Sequence, residues 1–209
     1  MKVYNFSPGP AKLDSSIISK SQEAMYNFQN TGLSILEIGH RSKEFEKLMN
    51  SLQENIRNIF NVPTNYFTLF LQGGATFQNT FIANNFDKRD KDLGCLVTGT
   101  WGKNTFDDFS KIRETKLIEL SQDQIENFVE SGEDLKNVDY LHLTSNETIN
   151  GVQLREFNKI NHDSLLIDMS SDIGSYRFEW DNIAYIYAGA QKNMGIPGVS
   201  ICIGDEKHL

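Results

Sequence analysis

Apolar runs of strand length recur along the chain, at Tyr66 to Leu71, Leu93 to Thr98, Lys116 to Leu120, Tyr140 to Thr144, Ser164 to Ile167, Ile183 to Ala188 and Val199 to Ile203. Segments with helical spacing separate the first four. This alternation predicts an α/β fold, a mostly parallel central sheet with helices on both faces. No internal repeat or low-complexity tract interrupts it. A turn-rich N-terminal arm is expected over residues 1–15, followed by one large domain over 16–209.

The longest helical pattern begins after His40-Arg41-Ser42, where Phe45, Leu48, Met49, Leu52, Ile56, Ile59 and Phe60 recur at three- and four-residue intervals. Ser42 suits the N-cap, and Pro63 lies just past the expected end. Ser121 to Gln124 has the spacing of a capping box before Ile125, Phe128 and Val129, with Gly132 as a natural stop.

Composition narrows the partners. The 209 residues are 39% hydrophobic, enough for one sizeable core, and 20 basic residues against 28 acidic ones give a net charge of −8. That balance disfavours a general binder of nucleic-acid backbones, so any bound phosphate must be gripped locally. Cys95 and Cys202 both fall in strand-like runs. Two unpaired apolar thiols suit a reducing cytoplasm better than a disulfide scaffold. The first residues lead straight into Ser7-Pro8-Gly9-Pro10 without the apolar core of a signal peptide, and no stretch approaches the roughly 20 apolar residues of a membrane span.

Candidate chemistry sits just after the strands. The run Tyr66 to Leu71 leads into Gln72-Gly73-Gly74-Ala75-Thr76 and then a helical segment. Glycines at a strand-to-helix turn can present N–H groups and the positive helix end to a phosphate, although such a pair is often only a tight turn. Trp101 follows the second strand, Thr148 the fourth and Asp168 the fifth. Each has a bland reading, as packing, turn or cap. Lys192 follows the sixth strand within Gly189-Ala190-Gln191-Lys192-Asn193-Met194-Gly195. A lysine in a loop is usually solvated; held partly desolvated, it favours the neutral amine that condenses with an aldehyde.

These signals share one address, the carboxyl-end edge where open α/β sheets bind ligands. Together they supply a phosphate cradle, a flat side chain, a carboxylate and a lysine, the parts a pyridoxal 5′-phosphate site requires. A dinucleotide-binding turn fits less well, because Gln72 to Phe77 does not satisfy G-x-G-x-x-G. No metal is implied.

At these residues the chain resembles the phosphoserine aminotransferases, in the fold-type I group of pyridoxal-phosphate enzymes. The matching stretches are Asn5 to Pro10, Gly39 to Phe45, Gln72 to Ala75, Asn146 to Gly151 and Tyr187 to Asn193. The resemblance implies that Lys192 is the Schiff-base lysine and proton shuttle. It implies that Asp168 pairs with the ring nitrogen, Trp101 stacks on the ring and Thr148 bonds the ring hydroxyl. Ala75, Thr76 and Gln191 would hold the cofactor phosphate, with Gly74 of the same turn also binding the cofactor, and His40 and Arg41 would face the phosphate or carboxylate of the substrate.

The activity so implied is transamination between O-phospho-L-serine and 2-oxoglutarate, giving 3-phosphohydroxypyruvate and L-glutamate, in L-serine biosynthesis by a cytoplasmic homodimer with shared active sites. Some family members carry arginine in place of Thr76. The family also continues for about another domain's length, of order 150 residues. That part is expected to add a small C-terminal domain and further substrate ligands. Two alternatives stay open: a large-domain chain that folds or dimerises with an incomplete site, and another class V enzyme such as a different aminotransferase or a cysteine desulfurase.

Overall fold

The computed structural model describes residues 3–86, 92–131 and 135–208. The chain divides into two compact units, Met1–Val62 and Pro63–Leu209.

In the first unit, α1 spans Ser15–Asn27 and none of its residues is buried; the Asp14 carboxylate caps it by accepting from Ser16 N at 2.8 Å. Helix α2 spans Lys43–Phe60 and starts as the sequence suggests, with Ser42 Oγ accepting from Phe45 N at 3.2 Å. Its end is set by Asn61, whose left-handed backbone (φ 50°) turns its N–H onto Arg57 O. The apolar stripe of α2 is buried only at Ile56 and Phe60, one turn apart, whereas Leu52 and Ile59 are exposed. His40 and Arg41 are exposed within a turn closed by Ser42 N donating to Gly39 O at 2.9 Å.

The second unit is built on a seven-stranded sheet. Its strands are β1 (Tyr66–Gln72), β2 (Asp92–Val97), β3 (Thr115–Glu119), β4 (Val138–Thr144), β7 (Leu165–Asp168), β8 (Ile183–Gly189) and β9 (Val199–Asp205). They lie in the order β1-β9-β8-β7-β4-β2-β3. A small hairpin, β5 (Asn146–Glu147) with β6 (Val152–Gln153), follows β4. Helices α3 (Gly74–Asn85), α4 (Thr100–Ser110) and α5 (Ile125–Ser131) connect the first four strands. The Ser121–Gln124 capping box forms, but it opens a single 3-10 turn ahead of α5; Gly132 lies outside the described residues.

Strands β8, β7, β4, β2 and β3 are parallel, and β9 runs antiparallel to both of its neighbours. The connection over residues 190–198 is too short for a crossover helix, so the chain returns as an antiparallel strand. Because β9 is reversed, β1 again points the same way as β8. The carboxyl ends of β1, β2, β4, β7 and β8 therefore share one edge. Strand β8 is buried along its whole length, as its unbroken apolar run requires of a central strand. Tyr185 and Tyr187 bury their rings there, and their hydroxyls reach Gln78 Oε1 at 2.8 Å and Asn79 Oδ1 at 3.2 Å.

Candidate active site

A cavity of about 310 Å³ opens on that edge of the second unit, and Gly74, Ala75, Thr76, Trp101, Asp168, Gln191 and Lys192 all line it. Gly73 and Gly74 turn β1 into α3 with φ of 102° and 70°, conformations that glycine adopts freely. Among the described residues, no side chain caps α3 at its Gly73 N-cap. Its first-turn N–H groups, on residues lining the cavity, are left for an anion.

The neighbouring helix α4 is the opposite case. Thr100 N donates to Asn150 Oδ1 at 2.8 Å, Trp101 N to Glu147 Oε2 at 2.8 Å and Gly102 N to Glu147 Oε1 at 2.6 Å. Its amides are thus committed to the β5–β6 hairpin, and of the two helix ends only α3 is open to a ligand. Burial pushes the Glu147 carboxyl up, and the two amides pull the other way. The Trp101 indole Nε1 donates to Thr148 Oγ1 at 2.9 Å, and the Lys192 Nζ lies 5.6 Å from the centre of the Trp101 ring.

Asp168 closes β7 at the cavity, where Ser170 N donates to its Oδ1 at 2.9 Å. Burial raises its pKa; the Ser170 contacts and the Lys192 charge oppose that rise. Lys192 sits in a turn in which Met194 N and Gly195 N both donate to Ala190 O, at 3.0 and 2.8 Å. Gly189 leaves room for the neighbouring amide: a Cβ there would stand 2.7 Å from Gln191 Oε1. Two buried cavity atoms, Thr144 Oγ1 and Gln191 Oε1, have no hydrogen-bond partner among the described residues. Unpaired buried polar atoms are costly, so their presence points to a polar ligand.

A sequence model of the family described as aminotransferase class-V matches residues 3–209. The chain belongs to the class-V aminotransferases. Among curated relatives of this family, the phosphoserine aminotransferase of Geobacillus kaustophilus is 40% identical over 206 residues, covering 97% of this chain and 57% of the relative. One from Streptococcus thermophilus is 37% identical, covering 100% and 59%. Among solved structures, the phosphoserine aminotransferase from Bacillus circulans subsp. alkalophilus superposes with a TM-score of 0.89 at 35% identity, covering 99% of this chain and 58% of that one. A PLP-bound phosphoserine aminotransferase from Trichomonas vaginalis gives 0.85 at 30% identity, covering 100% and 63%. The chain thus spans under three fifths of the length of those two curated relatives.

In this class-V aminotransferase chain, Thr148 touches Trp101 but is exposed and does not line the cavity. His40 and Arg41 belong to the first unit. The wall also includes residues that the sequence reading passed over: Asn79, Asn104, Thr105, Asp108, Thr144, Asn146, Ser170 and Ser171. A signal existed for three of them. Trp101, Asn104, Thr105 and Asp108 have the i, i+3, i+4, i+7 spacing of one helix face, polar where a core stripe would be apolar. The Lys111 and Asn79 side chains hold the Asp108 carboxyl below its usual range.

Proposed function

We propose that the cavity binds pyridoxal 5′-phosphate and that the protein exchanges an amino group between O-phospho-L-serine and 2-oxoglutarate, yielding 3-phosphohydroxypyruvate and L-glutamate. One observation carries this reading: Lys192, Asp168, Trp101 and the uncapped first turn of α3 line a single cavity. The unpaired Thr144 and Gln191 oxygens support a polar occupant of that cavity. When bound, the cofactor supplies an aldehyde and an electron-withdrawing ring.

The residues divide the work. The α3 amides, with Gly74, Ala75, Thr76 and Gln191, hold the phosphate at the helix end. Asp168, a carboxylate on the cavity wall, holds a proton on the ring nitrogen. Trp101 covers one ring face, and Thr148 stands beside it for the ring hydroxyl. The Lys192 Nζ would hold the cofactor's aldehyde and would carry a proton to and from the substrate α-carbon. His40 and Arg41, which the family resemblance assigns to the substrate, receive its anionic groups. The relatives' names support the substrate assignment and its place in L-serine formation.

We place this activity in a cytoplasmic homodimer with shared active sites. Exposed apolar side chains on the first unit, among them Tyr4, Phe6, Tyr26 and Leu36, support a covering subunit. No helix among the described residues is long and apolar enough to cross a membrane.

A second reading, prompted by the spans of 57% and 59% of these relatives, is a large-domain chain that folds or dimerises with a catalytically incomplete site. A desulfurase draws no support from the cysteines. Cys95 and Cys202 are both buried, and burial pushes the Cys202 thiol up to about 11. Rates with O-phosphoserine, alanine and cysteine as donors, each with 2-oxoglutarate, test the assignment. Phosphoserine should be preferred; preference for alanine or cysteine would overturn it.

A further inference from the structure

Glu147 is fully buried, and its partners are two backbone N–H groups rather than a cation. Burying a carboxylate is expensive, and a serine or aspartate at the N-cap position would satisfy a helix end more simply. Here the N-cap is Gly99, which offers no side chain. A Cβ on Gly99 would stand 2.6 Å from Asn150 Oδ1 and 2.7 Å from Glu147 Cδ, so the cap contributed by the distant hairpin leaves no space for a local one. Gly102 is similarly close, with its Cβ position 3.1 Å from Glu147 Oε1.

The distant cap does something a local cap could not. Glu147 holds the backbone N of Trp101 while the next residue, Thr148, holds its indole Nε1. Two adjacent residues of one hairpin thus fix the tryptophan at both ends, which sets the ring plane that faces Lys192. We infer that Glu147 is a positioning residue: it clamps the first turn of α4 and so orients the Trp101 ring in the cavity wall. Its effect on cofactor affinity rests on the pyridoxal phosphate reading above; the clamp itself does not.

Two measurements on the full chain test this. Without cofactor, Glu147→Gln should shift the Trp101 indole N–H resonance and speed exchange of the Trp101 and Gly102 amides, leaving the Trp180 indole unmoved. With pyridoxal phosphate titrated by absorbance, Glu147→Gln and Trp101→Ala should each raise the Kd about 3- to 10-fold, the scale of a lost aromatic contact. The double variant should be no weaker than Trp101→Ala alone, because the two act through one ring. An unmoved Trp101 indole, or effects that multiply in the double variant, would overturn the inference. If Glu147→Gln does not fold, amide exchange in the wild-type chain decides: the Trp101 and Gly102 amides that Glu147 holds must exchange slowly, and fast exchange at both would overturn the clamp. A wild-type chain that takes up no pyridoxal phosphate would overturn the functional reading, while the indole measurement would still decide the clamp.

Discussion

The ring Nε2 of His142 lies 3.0 Å from the hydroxyl of Tyr187, and the direction of this hydrogen bond is set two residues further on, at Asp108. The Asp108 carboxylate can only accept, so Asn79 turns its Nδ2 toward it at 3.0 Å and its Oδ1 toward Tyr187 at 3.2 Å. Tyr187 therefore donates to Asn79, and His142 donates from Nε2. The Nδ1 of His142, 3.8 Å from the Cys95 Sγ, carries the lone pair. A neutral histidine satisfies the chain from its Nε2 through Tyr187 and Asn79 to Asp108.

Burial holds His142 neutral, with a pKa pushed down to about 3 from its ordinary 6.5. Between those values the unfolded chain binds a proton that the folded chain refuses. The stability is complete above about pH 6.5 and falls by about 1.4 kcal/mol per unit as pH drops toward 3. Urea unfolding of wild type and His142→Phe from pH 4.5 to 7 checks this. The wild-type slope should be steeper by that amount; parallel slopes would refute it.

Asp168 should behave in the opposite sense. Its folded pKa is raised, so its ionisation costs stability as pH climbs above the ordinary carboxylate value of 3.8. Asp168→Asn should therefore raise the Tm of the cofactor-free chain at pH 7. The gain should vanish near pH 3. The same variant should lose about 100- to 1000-fold in amino transfer, the scale of removing one preorganised electrostatic partner.

Two glycines should respond differently to alanine. At Gly74 the backbone is left-handed (φ 70°) but a Cβ meets nothing within 4 Å, so the cost is conformational, about 1–2 kcal/mol. At Gly99 the added carbon displaces Asn150 and Glu147, the side chains capping α4. Overpacking and a lost cap together should cost about 2–4 kcal/mol. Urea midpoints of the two variants check the order; Gly74→Ala as the worse of the pair would contradict it.

The strands were legible because an apolar run such as Ile183 to Ala188 depends on its own residues and on lying centrally in the sheet. The direction of β9 depended on the length of its connection, and only the short span 190–198 signalled the reversal. Lys192, Asp168 and Trp101 could be read from their positions after strands. Glu147 could not: in sequence it is one polar residue in a turn, and its task comes from an α4 end 45 residues away in the chain. Asn79 likewise acquires its orientation from Tyr187 and Asp108, partners that only the fold brings together.

The most direct measurement is reductive trapping. The chain, incubated with pyridoxal 5′-phosphate and reduced with borohydride, should carry the pyridoxyl group on the peptide containing Lys192, and Lys192→Ala should lose both the adduct and the imine absorbance. A chain left unlabelled at Lys192, or labelled to the same extent when that lysine is absent, would contradict the account.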